Sequence, residues 1–524
     1  MNESRAARRQ GDDVQRTGSV ATPDGKVGAA GAFWSVWAGV LAIKLYLSMV
    51  LAPFGDEAFY WQESRHLDWA YSDLPPLTAW LIRAGESLAG HGEFGLRVLF
   101  LALGAILPLL LRRLAARHFG TQAGDMAGTL WLLMPLGATL GLLALPDVPL
   151  LFACVWALSA LDAALETDRR RYWLALGAAL ALAWLTHYRA AMLVFAGLAF
   201  FLLAPRGRAC WRKPGLWLAL ATSLLGLVPV VIFNLRHAWQ GLAFQLVERH
   251  PWSFHADALV QPLEQALACT PLLYVLLLWA LWRCVQRRGE GAPWDVYAIA
   301  GSVFVLGYFL LGLFADDLRF RAHWPLPGYV PALLVLPLLA SEKSIAWRRW
   351  LWRPACALAA LGTASAFAYF LLAAWPSQTE RLATYKMFPE NFVGWHEVAA
   401  RTNEVLANGS SPILVADNFL LAAELDFQLD GRVPVFVLDH PLNTKHGRAP
   451  QLAQWRLDEK ALGENAGHEV LLVVEDSAGR ERERQPWQDT LPTRIDGLQR
   501  VDTLSLFGAR KRFSFYRGRV PMRP

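Results

Sequence analysis

From Ala32 to Ala374 the chain alternates long apolar runs with short polar breaks, and after that its character changes. Apolar runs of about 20 residues have the length an α-helix needs to cross the hydrocarbon of a bilayer. Eleven such spans are predicted, at about 33–53, 95–111, 124–143, 147–165, 172–186, 190–204, 215–233, 265–282, 294–314, 324–340 and 354–374. Residues 1–31 hold Arg5, Arg8, Arg9, Arg16 and Lys26 without an apolar stretch of their own, and read as a disordered cytoplasmic tail. The first span is longer than a signal-peptide core, has no small-residue cleavage pattern after it, and reads as retained. Residues 54–94, between the first two spans, have amphipathic helical spacing rather than turn chemistry.

Beyond Ala374, residues 375–524 are polar enough to form a soluble domain. Helical spacing over 389–406 and 418–429 alternates with β-type runs at 412–416, 433–438, 469–474 and 512–519. The expected fold is therefore a polytopic α-helical membrane domain over 32–374, with a C-terminal soluble α/β domain.

Composition agrees, with 55% hydrophobic residues against 18% charged, which excludes an ordinary water-soluble enzyme. The net charge of +6 need not imply a nucleic-acid partner, because membrane proteins gather Lys and Arg in cytoplasmic loops. With residues 1–31 inside, the inner loops hold 17 basic residues: Arg112, Arg113, Arg117, Arg169, Arg170, Arg171, Arg206, Arg208, Arg212, Lys213, Arg283, Arg287, Arg288, Lys343, Arg348, Arg349 and Arg353. The outer loops are longer yet hold seven: Arg65, Arg83, Arg189, Arg236, Arg249, Arg319 and Arg321. That bias orients the chain with its N-terminus cytoplasmic, and an odd number of spans puts the soluble domain outside. None of the five cysteines falls in that domain, so no disulfide is expected there, and no CxxC-type metal spacing occurs.

The most informative stretch follows the first span: Phe54-Gly55-Asp56-Glu57-Ala58-Phe59-Tyr60-Trp61, then Tyr71-Ser72-Asp73-Leu74-Pro75-Pro76-Leu77. A carboxylate at the membrane boundary can orient and deprotonate a hydroxyl nucleophile. One isolated aspartate would merely mark the exit of a span into water. Here two carboxylates are adjacent, aromatics interleave them, and a further acid, Asp73, follows.

These residues resemble the first external loop of the bacterial GT-C glycosyltransferases related to dolichyl-phosphate-mannose protein mannosyltransferases and to the lipid A aminoarabinose transferase. Further matches are Leu145-Pro146-Asp147-Val148-Pro149-Leu150, Phe233-Asn234-Leu235-Arg236-His237-Ala238-Trp239, His323-Trp324-Pro325-Leu326-Pro327-Gly328-Tyr329, and Val415-Ala416-Asp417-Asn418 with Ala422-Ala423-Glu424-Leu425. One departure is Leu74, where many relatives carry a histidine. The resemblance implies transfer of a sugar, with inversion, from a polyprenyl-phosphate donor to a glycan, lipid or protein acceptor at the outer face of the membrane. It assigns Asp56 as the base or acceptor-orienting group, with Glu57 and Asp73 either orienting substrate or supporting the site from behind.

A phosphodiester donor needs cations on the outer side, which makes Arg189, Arg236 and Arg321 candidates for its phosphate. Snorkelling to headgroups, or pairing with Asp316 or Asp317, is the competing reading for such residues. Tyr60, His187, His237, His323 and Trp324 are substrate-binding candidates, with Trp239 a second surface for sugar stacking. Asp147 matches a family position but is equally explained as a helix N-cap. The three histidines are too far apart in sequence to declare a metal site, and a divalent cation is left open. The alternative class, a transporter or lipid flippase, would need ionisable groups in mid-span, where Lys44 is an exception among mainly Leu, Ala and Val.

Overall fold

A computed structural model of the chain describes residues 23–249, 252–314, 323–342, 348–407, 412–479 and 481–522. Its first half is helical: α1 (Pro23–Val50), α2 (Gly55–Arg65), α3 (Leu77–Ala89), α4 (Glu93–Phe119), α5 (Thr121–Leu133), α6 (Pro135–Thr139), α7 (Asp147–Thr167), α8 (Arg170–Thr186) and α9 (Ala190–Leu203). The principal helices that follow are Pro214–Leu224, Val228–Arg236, Gln261–Cys269, Pro271–Arg287, Trp294–Phe314, Leu326–Ser341 and Arg348–Ala373. The expected tail is shorter than predicted: residues 23–31 are already helical, and 1–22 lie outside the described residues.

Among the described residues six helices are long and apolar enough to cross a membrane, or eight if two sharply bent pairs each count as one span. Prolines account for much of the difference from eleven uninterrupted runs. At Met134, Ala204 and Thr270 the backbone leaves the helical region immediately before Pro135, Pro205 and Pro271, as the ring of a following proline requires. The predicted run 124–143 is thereby split into α5 and α6, and the chain bends by 89° after Leu203 and by 110° after Cys269. Breaking a helix frees carbonyls that must find donors. The buried Lys44 ammonium, the charge expected inside the first span, donates to the Leu140 carbonyl just after α6.

The C-terminal part is built on a five-stranded mixed sheet of β1 (Ile413–Ala416), β2 (Val435–Val437), β3 (Glu469–Glu475), β4 (Asp496–Leu506) and β5 (Lys511–Arg519), in the order β2-β1-β3-β5-β4. β1 runs parallel to β2 and β3, while β5 is antiparallel to β3 and β4. β4 is not predicted by the apolar pattern because it is a largely exposed edge strand with polar side chains. The helix Phe419–Gln428 follows β1, capped by the Asn418 side chain, which accepts from the Leu420 and Leu421 N–H groups.

This sheet domain is not a freely hung appendage. Ala58, Phe59 and Trp61 of α2 pack in one continuous core with Phe419, Leu421, Leu425 and Phe427 of the capped helix and with Leu414, Leu471 and Phe513 of the sheet. The Phe59 and Phe419 rings meet edge to face at 5.5 Å, as do Trp61 and Phe427 at 5.3 Å. α2 is consequently buried along almost its whole length although it leaves the membrane helices.

Candidate active site

α2 begins five residues after α1 ends, which puts Asp56 in its first turn. Asp56, Tyr60 and Glu63 follow at i, i+4 and i+7, on one helical face, while Glu57 is rotated about 100° away from Asp56. That rotation decides its partner. The Glu57 carboxylate accepts from Arg97 Nε at 2.8 Å and Nη2 at 2.6 Å, from the Phe54 N–H at 3.0 Å and from the Ala144 N–H at 2.7 Å. Both side chains are wholly buried, and Arg97 also donates to the carbonyls of Leu51 and Ala52. Glu57, expected either to orient substrate or to support the site from behind, has its oxygens committed to holding the start of α2 onto α4 and the 140–147 loop.

The other face of α2 meets the soluble domain. Arg448, just before the helix Ala449–Trp455, is buried and reaches Asp73 at 2.5 Å, Glu63 at 3.4 Å and Asp56 at 3.5 Å. Its guanidinium lies 4.2 Å over the Phe59 ring and 5.0 Å over Tyr60. The Asp73 loop is fastened from both sides: Ser72 Oγ donates to the Gly447 carbonyl at 2.6 Å, the Ser72 N–H donates to Gln451, and Gln245 donates to the Asp73 carbonyl. Burial, then the charge of Asp73, pushes the Glu63 carboxyl well above the usual carboxylate range; burial also raises Asp73, against the pull of Arg448. Burial raises the Tyr60 phenol too, so it stays protonated. Burial opposes the charge of Arg448, but Asp73 and its neighbours more than compensate. Asp56 keeps the most solvent access of the three carboxylates, at 29%.

Asp56, Tyr60 and Asp73 line a cavity of about 410 Å³ together with Asp147, His187, Arg189, Arg249, His323, Trp324, Lys445, His446 and Arg448. Arg189 donates to Asp147 at 2.7 Å and stands 5.3 Å over the Trp324 ring, with His323 3.3 Å from the same carboxylate. His187 Nδ1 accepts the Arg189 backbone N–H at 3.0 Å, leaving its proton on Nε2. Burial, followed by the charges of Arg189 and Arg249, holds that ring neutral.

Asp147, Arg189, His323 and Trp324 also line a neck of about 20 Å³. Cys154, Phe304 and Pro327 are shared between this small cavity and an apolar groove of about 450 Å³, walled by side chains of α7, α8 and α9 and of the helices Pro214–Leu224 and Trp294–Phe314. No group of three or more His, Cys, Asp or Glu side chains is placed to hold a metal ion among the described residues.

Residues 73–233 match the sequence family described as dolichyl-phosphate-mannose-protein mannosyltransferase. The lipid A galacturonosyltransferase RgtD of Rhizobium johnstonii is 27% identical over 383 residues, covering 72% of this chain and 77% of that protein. The crystal structure of ArnT from Cupriavidus metallidurans in the apo state superimposes with a TM-score of 0.67 at 16% identity, over 93% of this chain and 98% of that one. The same ArnT bound to undecaprenyl phosphate gives 0.63. The chain therefore shares the fold of ArnT and resembles these glycosyltransferases in sequence.

Seven of the eleven residues singled out from the sequence come together: Asp56, Tyr60, Asp73, His187, Arg189, His323 and Trp324. Three do not, and the fourth is outside the described residues. Glu57 faces Arg97; Arg236 is exposed at the end of its helix; the His237 ring bonds back to the Phe233 carbonyl; and Arg321, with Asp316, Asp317 and Arg319, lies outside the described residues. Trp239 is likewise absent from the cavity wall. Sequence reasoning missed Glu63, Arg249 and the Lys445-His446-Gly447-Arg448 run. The basic run joins two short helices, Pro441–Lys445 and Ala449–Trp455, and nothing local says which carboxylates it meets.

Proposed function

We propose that this protein is a glycosyltransferase that moves a sugar from a polyprenyl-phosphate donor to a hydroxyl of a glycan, lipid or protein acceptor, with inversion, at the outer face of the bacterial inner membrane. The observation that carries this reading is the succession of a charged cavity, a small cavity that shares Arg189 and Trp324 with it, and an apolar groove that shares Cys154, Phe304 and Pro327 with the small one. An amphiphile with an isoprenoid tail and a phosphate head fits that sequence of surfaces. Undecaprenyl phosphate, bound in the ArnT structure, is such a molecule. RgtD is named for lipid A, which makes lipid A the first acceptor to test.

In the proposed reaction an acceptor oxygen forms a bond to the anomeric carbon while the bond from that carbon to the phosphate oxygen breaks. The electron pair leaves with the polyprenyl phosphate, and Asp56 takes or orients the hydroxyl proton. Because the leaving group is already a phosphate, fixed donors for its growing charge matter more than a strong acid. Arg189 and the His187 Nε2–H supply them.

The cavity residues come from the exit of α1, the start of α7, the turn from α8 to α9, and the approach to the helix Leu326–Ser341. These points share one end of the helices, and the basic bias of the opposite loops makes it the outer one. This leaves residues 375–524 extracytoplasmic and the N-terminus cytoplasmic. A flippase would instead need ionisable groups along a transbilayer path, whereas Lys44 is tied to a backbone carbonyl.

The test is transfer from a labelled polyprenyl-phosphate sugar to lipid A by the purified protein in lipid nanodiscs. Asp56→Asn should lower the rate by roughly 10²–10⁴-fold with unfolding unchanged. Full activity in folded Asp56→Asn protein would sink the assignment, and no transfer by the parent protein from any polyprenyl-linked sugar would sink the reading itself.

A further inference from the structure

Three carboxylates, on Asp56, Glu63 and Asp73, converge on the single guanidinium of Arg448, at 3.5, 3.4 and 2.5 Å. Asp56 and Asp73 bear on the cavity, while Glu63 is not among its lining side chains. Arg448 is 3% exposed and Glu63 1%, so water does little to screen this cluster. Burial raises the pKa of Glu63, the most deeply packed of the three. Asp56 is the carboxylate with the most solvent access. The cation arrives from the soluble domain, 392 residues further along the chain than Asp56.

We propose that Arg448 is a positioning residue of the transfer reaction: by pairing with Asp73 and Asp56 it holds the Asp56 carboxylate aimed into the cavity, so that the soluble domain completes the site. This rests on the reading of Asp56 as the group that handles the acceptor proton. The other charges facing Asp56 cannot substitute for Arg448. On its own helix Asp56 faces Tyr60 and Glu63, and Asp73 follows on the next loop. Across the cavity Arg189 is engaged by Asp147, with His323 at the same carboxylate, while His187 is neutral. Arg249 lies over Trp324 and bonds Gln245. Lys445 and His446 belong to the same soluble-domain loop as Arg448 and line the same cavity.

The deciding experiment compares full-length Arg448→Met and Arg448→Lys with the parent protein in nanodiscs, following kcat/KM for transfer between pH 5 and 9. In Arg448→Met the acid limb of the profile should move up by at least one pH unit, so that the pH-dependent loss is about 10-fold on the acid limb and shrinks as the pH rises. Arg448→Lys, which keeps the charge but loses the fork, should hold the limb in its original place at a reduced rate. A folded Arg448→Met protein whose limb stays put overturns the proposal, whereas absence of transfer by the parent protein strikes the functional reading beneath it. Thermal unfolding supplies a readout independent of activity. Without the cation the carboxylates bind protons more tightly in the folded state, so the deficit of Arg448→Met relative to the parent should be full at pH 8 and shrink towards pH 5. A pH-independent deficit marks a purely steric role and also overturns the proposal. Should Arg448→Met fail to fold, Asp73→Asn decides the matter: with one competing carboxylate neutralised, its acid limb should move down, and an unmoved limb counts against the proposal.

Discussion

Arg97 and Glu57 form a forked ion pair, at 2.8 and 2.6 Å, with neither side chain reaching solvent. The remaining acceptor capacity of Glu57 goes to the backbone of Phe54 and Ala144, so the pair binds the beginning of α2 to the loop that leads into Asp147. Removing one partner of such a pair strands the other charge and typically costs about 3–5 kcal/mol. Arg97→Met should accordingly lower thermal stability by about that amount. Glu57→Gln, which keeps an acceptor for Ala144, should lose less, and the folded fraction should retain transfer. Near-complete loss of transfer in well-folded Glu57→Gln protein would return Glu57 to the chemistry.

Gly447 carries the carbonyl that receives Ser72 and precedes Arg448 in the chain. Its φ of +71° is one that L-residues seldom adopt, and a Cβ there would come within 2.6 Å of the Phe244 ring. Gly447→Ala should displace the loop, and misplacement by about 1 Å can cost on the order of 10²-fold in rate. Combining it with Phe244→Ala removes the ring that the new methyl would strike, and part of the activity should return. No recovery in the double variant would show that φ strain dominates.

Gly197 faces the apolar groove, with nothing within 4 Å of where its Cβ would be. Gly197→Phe should fill that space at little cost to folding. The expected result is a KM raised for a long-chain polyprenyl donor, with much less change for a donor carrying a one- or two-isoprene tail. Equal KM values for long and short donors would place the tail elsewhere.

His440 Nδ1 accepts the Leu442 N–H at the head of the short helix Pro441–Lys445. Burial, aided by Arg494, lowers its pKa to about 4, against 6.5 for an ordinary histidine. The unfolded chain therefore takes up a proton that the folded chain refuses, and stability falls as the pH drops from about 6.5 towards 4. His440→Asn retains a capping acceptor without the titration. Its melting temperature relative to the parent should rise steadily over that interval and stay level above pH 7; a constant offset would contradict the assignment.

The site is half legible in the chain because its two halves are encoded differently. Asp56, Tyr60 and Asp73 sit beside the exit of a hydrophobic span and are interleaved with aromatics, so local chemistry points to them. The neighbouring Glu57 looks equivalent in a list of residues, yet about 100° of helical rotation sends it to Arg97 instead. Arg448 has no local signature, since pairing with Asp56 depends on which loop of the soluble domain docks on α2. The apolar periods similarly anticipate the helices and four of the five strands. They do not show where prolines at 135, 205 and 271 turn a run aside, nor β4, whose side chains are largely solvated.

The core in which Phe59 and Trp61 of α2 pack against Phe419 and Phe427 has a practical consequence. Severing the chain after Ala374, where composition suggests a natural cut, would leave a greasy wound on each fragment and an acid pocket without its counter-ion. Neither piece is expected to behave as a module. Exchanging soluble domains between relatives should succeed only when the docking face of α2 travels with the graft.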